Sequence, residues 1–380
     1  MIDHRTLAVE VQSFGVRVEE DDRRLEGRRG GAGPSDAGFM WINGLPLSVP
    51  LYGQYTSKSP YLLRREERGH VLYRDGEAVG KVHVPPRPRY YDLETDDGVP
   101  YWKIALLHLD SLASTVVQRC IYYSTSEQCQ FCGIELSLEA GRTIAVKKPE
   151  QLAEVALAAR DLDGAKDITL TTGTVNRRDK GARYIARCAK AIKDTTGMPV
   201  QVQFEPPTDL AVLEEVKAAG VDAVGIHIES FDPHVLAWVA PAKAAIGVEG
   251  YFRTWRYAVE LFGRGQVSTY VILGMGERPE LIEEGCKRAI DEGVYPFIVP
   301  LRPVPGTPME DWLPPAPAYV ERLYRAVVPH LADRGLTSAT VQAGCARCQA
   351  CSAMSAFEHG HENERASDGT GFPIRPIAPT

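Results

Sequence analysis

Six of the eight cysteines fall in two tight triplets, Cys120/Cys129/Cys132 and Cys345/Cys348/Cys351. The first triplet lies in Cys120-Ile-Tyr-Tyr-Ser-Thr-Ser-Glu-Gln-Cys129-Gln-Phe-Cys132-Gly133. Three thiolates on one short loop can hold three irons of a [4Fe–4S] cube and leave the fourth open to a small molecule. They can equally form part of a structural zinc site whose fourth ligand lies elsewhere. The second triplet, C-x2-C-x2-C, matches the start of ferredoxin-type ligand runs. It too can take zinc instead, with His359 or His361 as fourth ligand. Cys188 and Cys286 stand singly in helical patterns and read as core thiols.

These thiols need a scaffold, and from about Ser114 the chain supplies one. Apolar, β-branched runs alternate with helical periods: Ser114–Arg119, Asp167–Thr171, Val200–Phe204, Ala223–Ile228, Val267–Leu273 and Tyr295–Leu301 as strands, with helices between them and a further helix near Ala316–Arg334. Ser338–Gln342 reads as a short seventh strand. Strands joined by helical crossovers pair in parallel, and no G-x-G-x-x-G follows the first of them. The fold class expected is therefore α/β, a TIM-like (β/α) barrel, partial or near-complete. Residues 1–110 read as a small N-terminal α+β region with a hairpin at Asp75-Gly76. Residues 111–335 read as the barrel, and 336–380 as a cysteine-containing tail. The Arg/Gly-rich stretch from Asp21 to Gly38 reads as a loop able to order over a ligand.

In parallel barrels chemistry gathers where strands end. The first strand ends in the cysteine loop, and the second in Thr171-Thr172-Gly173-Thr174, a hydroxyl-rich glycine turn. The third ends at Glu205, a carboxylate costly to bury without a partner. The fourth ends in His227-Ile-Glu229, whose alternation puts both side chains on one face. His227 reads equally as a satisfied core histidine. The fifth ends in Gly274-Met-Gly276-Glu277. Lys243 and Arg253 are cations within reach of these ends, or ordinary surface charges.

In that order, these features resemble the radical S-adenosylmethionine (SAM) superfamily over about residues 114–310. The usual first cysteine gap there is three residues, where this chain has eight. The Pro-Gly-Thr-Pro turn at 305–308 resembles the biotin-synthase-like branch. The cysteine segment and the C-terminal triplet resemble radical SAM proteins encoded beside a nitrilase in bacterial gene clusters. The resemblance implies a cube on Cys120, Cys129 and Cys132, with SAM on its open iron. Reductive cleavage of SAM would then start radical chemistry on a small-molecule substrate. It further implies that Thr172, Gly173, Thr174, Glu205, His227, Glu229, Gly274 and Gly276 bind SAM, and that a flavodoxin- or ferredoxin-type donor supplies electrons. Cys345, Cys348 and Cys351 would hold an auxiliary cluster, or zinc, with the tail and the N-terminal region closing the barrel mouth. The alternative from another class is a non-catalytic iron–sulfur or zinc-binding protein.

Composition bounds these expectations. A net charge of -7 argues against a nucleic-acid phosphate track. No stretch of about 18 apolar residues marks a membrane span, and clustered rather than framework cysteines suit a reducing, cytoplasmic setting.

Overall fold

The computed structural model describes residues 2–19, 25, 35–67 and 69–358. Most of the Arg/Gly-rich loop, as well as His359 and His361, lies outside the described residues.

The chain opens with α1 (His4–Phe14), capped where the Asp3 carboxylate accepts the Thr6 N–H. A first sheet follows, of β1 (Arg17–Val18), β2 (Ala37–Ile42), β3 (Leu45–Pro50), β4 (Tyr61–Glu66), β5 (Gly69–Arg74) and β6 (Glu77–His83), in the order β1-β4-β5-β6-β2-β3. The expected hairpin joins β5 to β6, and its Asp75-Gly76 turn has positive φ at both residues. A second hairpin of the same kind, at Asn43-Gly44, joins β2 to β3.

The second sheet carries β7 (Leu106–His108), β8 (Ser111–Thr115), β9 (Asp167–Thr171), β10 (Val200–Gln203), β11 (Ala223–Gly225), β12 (Val267–Leu273) and β13 (Val294–Pro300). Their order is β13-β12-β11-β10-β9-β8-β7, with β8 to β13 parallel throughout and β7 an antiparallel edge. Each parallel strand neighbours the next in the chain, so the order never reverses. Right-handed crossovers repeated in one direction place the helices on one face and leave the other to curl inward. The helices are α2 (Leu136–Glu139), α3 (Pro149–Asp163), α4 (Ala182–Thr196), α5 (Val212–Ala218), α6 (Pro233–Val239), α7 (Pro241–Ala244), α8 (Val248–Phe262), α9 (Pro279–Asp291) and α10 (Pro317–Asp333). Among the described residues no pairing joins β13 to β7, so the barrel is partial. Cys188 and Cys286 are fully buried core thiols, and no described helix is long and apolar enough to cross a membrane.

Two local departures have clear causes. The first barrel ladder spans Ser111–Thr115 rather than Ser114–Arg119. Val116 and Val117 continue alongside β9 through single bonds only, Val116 N–H to Thr171 O and Gly173 N–H to Val117 O. Ser338–Gln342 is not a strand but contains a 3-10 turn, Ser338–Thr340. The Gln266 side chain takes the place of a strand neighbour there: its Nε2–H donates to Thr340 O, and its Oε1 accepts the Gln342 N–H.

The C-terminal stretch, with α11 (Cys345–Cys348) and α12 (Ser355–Glu358), does not close the barrel mouth. It crosses the gap between β13 and β7 on the side where strands begin. Asp167, the first residue of β9, accepts the Gly344 N–H at 2.6 Å, and Arg347 bonds Asp110 just before β8. Ser352 Oγ–H donates to Ile298 O, and the Met354 sulfur accepts the Ile298 N–H. Carboxylates at the strand starts and the backbone of β13 give this segment its hydrogen-bond partners.

Candidate functional site

After β8 the backbone passes over the β9 turn and enters the cysteine loop. A Cβ at Gly173 would stand 2.1 Å from Arg119 O, so only glycine admits this crossing. The eight residues between Cys120 and Cys129 fold into successive tight turns. Tyr123 N–H donates to Cys120 O, Thr125 N–H to Tyr122 O and Gln128 N–H to Thr125 O. Ser124, at φ +60°, is stapled through its N–H to Gln128 Oε1. The long gap is thus taken up locally, and Cys129 and Cys132 return to the site beside Cys120.

All six triplet cysteines line one cavity of about 360 Å³. Thr172, Gly173, Thr174, Glu205, His227 and Glu229 line it too, whereas Gly274 and Gly276 do not. Those two glycines, both at positive φ, shape a turn closed by Glu277, whose carboxylate accepts the Gly274 and Met275 N–H groups. A cavity of this size suits a small molecule.

Glu229 sits at φ +74°, a conformation strained for a residue with a Cβ. Its neighbours hold it there: Glu229 N–H donates to Tyr270 O and Ile272 N–H donates to Glu229 O. Its side chain accepts from Lys243 Nζ at 2.5 Å, and Lys243 also donates to His227 O at 2.7 Å. Each is only 7% exposed, so Lys243 is a buried partner rather than a surface charge. Burial by itself would lower its ammonium, but Glu229 leads a group of neighbours that raise it instead. Arg253 is exposed.

His227 Nδ1 accepts the Tyr270 N–H at 3.1 Å. The ring proton therefore belongs on Nε2, which is buried and has no hydrogen-bond partner among the described residues. Burial, reinforced by Lys243, pushes this imidazole well below its ordinary range, so it stays neutral. Glu205 Oε2 is likewise buried without a hydrogen bond among the described residues, 3.7 Å from Lys180 Nζ. Lys180 donates to the hydroxyl of Tyr122, in the cysteine loop. Lys180, Tyr122, Gln203 and Tyr270 were not singled out from sequence. Gln203 had a readable signal, because Val-Gln-Val-Gln in β10 alternates buried glutamines onto one face.

The thiols that line this cavity are chemically suited to hold a metal. Burial raises all six, Cys132 and Cys351 to about 12, so they remain protonated until a metal charge displaces the proton. Among the described residues no three His, Cys, Asp or Glu side chains gather closely enough for one metal ion. The orphaned His227 donor and Glu205 acceptor give the same cavity polar contacts for a bound molecule.

Residues 120–289 match the family described as Radical SAM superfamily. That stretch of the chain is a radical SAM domain. The superfamily implies a [4Fe–4S] cluster and SAM as cofactors of such a domain. Bacteriochlorophyllide c C-7(1)-hydroxylase of Chlorobaculum limnaeum is 26% identical over 231 residues, 54% of this chain and 57% of its own length. The match thus spans little more than half of that relative. A radical SAM methyltransferase from Sphaerobacter thermophilus is 14% identical at a TM-score of 0.45, over 73% of this chain and 75% of its own. Methylornithine synthase (PylB) is 16% identical at a TM-score of 0.43, over 57% and 62%.

Proposed function

We propose that the chain reductively cleaves SAM to start radical chemistry on a small molecule held between two iron–sulfur sites. The observation that carries this reading is the shared cavity: both cysteine triplets line it. Cys120, Cys129 and Cys132 hold the cluster that receives SAM. Thr172, Gly173, Thr174, Glu205, His227 and Glu229 take the polar groups of SAM. Gly274 and Gly276 support the adenine side through their loop, whose neighbour Ile272 lines the cavity. Cys345, Cys348 and Cys351 hold an auxiliary [4Fe–4S] cluster.

When bound, the reduced cluster would supply the electron that cleaves SAM and so starts radical chemistry; the chain supplies orientation and exclusion of water. Neutral His227 offers a fixed N–H donor. The Glu229–Lys243 pair sets charge at the strand end, and Lys180 ties Glu205 to the cysteine loop through Tyr122. In this reading residues 1–110 are the lead-in, 111–335 the barrel and 336–380 the tail. The electron donor is of flavodoxin or ferredoxin type, and the setting is cytoplasmic.

Anaerobic reconstitution followed by dithionite and a SAM-cleavage assay tests the reading. About eight irons per chain are expected, falling to about four in a Cys345/Cys348/Cys351→Ala variant. The Cys120/Cys129/Cys132→Ala variant should not cleave SAM. Wild-type cleavage by that variant would overturn the reading, as would a stoichiometric zinc lost from the tail variant with iron unchanged.

A further inference from the structure

Arg302 follows β13 and lines the cavity. Its Nη1 donates to Ser48 Oγ at 3.0 Å and its Nη2 to Ser48 O at 2.6 Å. Both acceptors are neutral, and among the described residues no carboxylate lies within ion-pair distance of this guanidinium. Arg64, Arg183, Arg278 and Arg288, by contrast, each sit on a carboxylate. The other two cations at the site are matched, Lys243 by Glu229 and Lys180 by Glu205.

We propose that the substrate carries an acidic oxygen group, a carboxylate or a phosphate, which Arg302 receives at the end of the cavity beside the C-terminal triplet. This rests on reading the cavity as the substrate site. A guanidinium partly withdrawn from water without a counter-charge is costly, and its planar fork matches a carboxylate or phosphate in bidentate fashion. Ser48 holds the fork in place before any ligand arrives. Ser48 lies on β3 and is itself fixed, its N–H donating to Ala350 O at 2.7 Å. Preorganisation of this kind lowers the ordering cost of binding. An acidic group anchored there points the rest of the molecule up the cavity toward Cys120, Cys129 and Cys132.

The test uses the full reconstituted chain with SAM present, so that the SAM site is filled. Calorimetry compares succinate, inorganic phosphate and the neutral isostere succinamide. One of the two anions should bind wild type, and its affinity should fall roughly tenfold or more in Arg302→Gln, the loss of one or two charge-assisted bonds. Succinamide should bind neither protein, and whichever anion binds names the acid. Arg302→Lys keeps the charge without the fork and should show a smaller loss; it carries the test if the Gln variant does not fold. The proposal fails if neither anion binds, if the variants bind like wild type, or if succinamide equals succinate. It also fails if Arg302→Gln loses about four irons along with anion binding, because the guanidinium would then serve the neighbouring thiolates. Anion binding by a wild type that does not cleave SAM would support this site and sink the catalytic reading alone.

Discussion

Gly173 lies directly beneath the carbonyl of Arg119, so close that a Cβ would sit 2.1 Å from its oxygen. The crossing sets the height at which Cys120 leaves the barrel. Gly173→Ala should push the cysteine loop outward while leaving the strands intact. Iron per chain should fall by about four, with far-ultraviolet circular dichroism unchanged. Full iron retention would show that the crossing does not govern the first triplet.

Glu229 and Lys243 form a buried pair, so removing one partner strands the other. Glu229→Ala should cost about 3–5 kcal/mol of stability, measured by denaturant unfolding of the reconstituted chain. Any loss of SAM affinity in that variant mixes a lost contact with this stranded charge. The double variant Glu229→Gln/Lys243→Met should recover most of the stability, and SAM calorimetry on it would then isolate the binding role. A double variant no more stable than the single one would contradict the pairing.

Burial raises the Asp167 carboxyl to about 6, against the opposing Arg347 charge and the Gly344 N–H. A carboxyl raised in the folded state binds its proton more tightly there than when unfolded. The stability it contributes is therefore greatest at low pH and is lost as pH rises through about 6. Between pH 5.5 and 7.5 wild type should lose on the order of 1 kcal/mol relative to Asp167→Asn. Parallel pH profiles of the two urea midpoints would exclude this titration.

Gln266 holds the tail through two bonds, to Thr340 O and from the Gln342 N–H. Gln266→Ala should weaken tail docking by about 1–3 kcal/mol. The readout is faster proteolytic nicking near residue 340 under native conditions, with wild-type cleavage rates counting against it.

The strand–helix rhythm was legible because parallel strands covered on both faces read as continuous apolar runs, and Val294–Pro300 is buried at every position. Both cysteine triplets and the acidic strand ends were legible as residue types. Less visible was anything decided by distant contacts. Nothing near Lys243 in sequence announces its partner, fourteen residues away on a strained backbone. The tail's position depends on Asp167, Gln201 and Ser48, far apart in the chain, and so escaped a reading that placed it at the mouth. Ser338–Gln342 has strand-like composition, but a glutamine side chain occupies its hydrogen bonds.

The segment bearing Cys345, Cys348 and Cys351 spans the seam between β13 and β7, and β3 of the first sheet is bonded to it at Ala350. Every barrel strand precedes that segment in the chain, so it leaves the ribosome after them. The nascent chain therefore has its first triplet and all the barrel strands before the seam between β13 and β7 can be sealed.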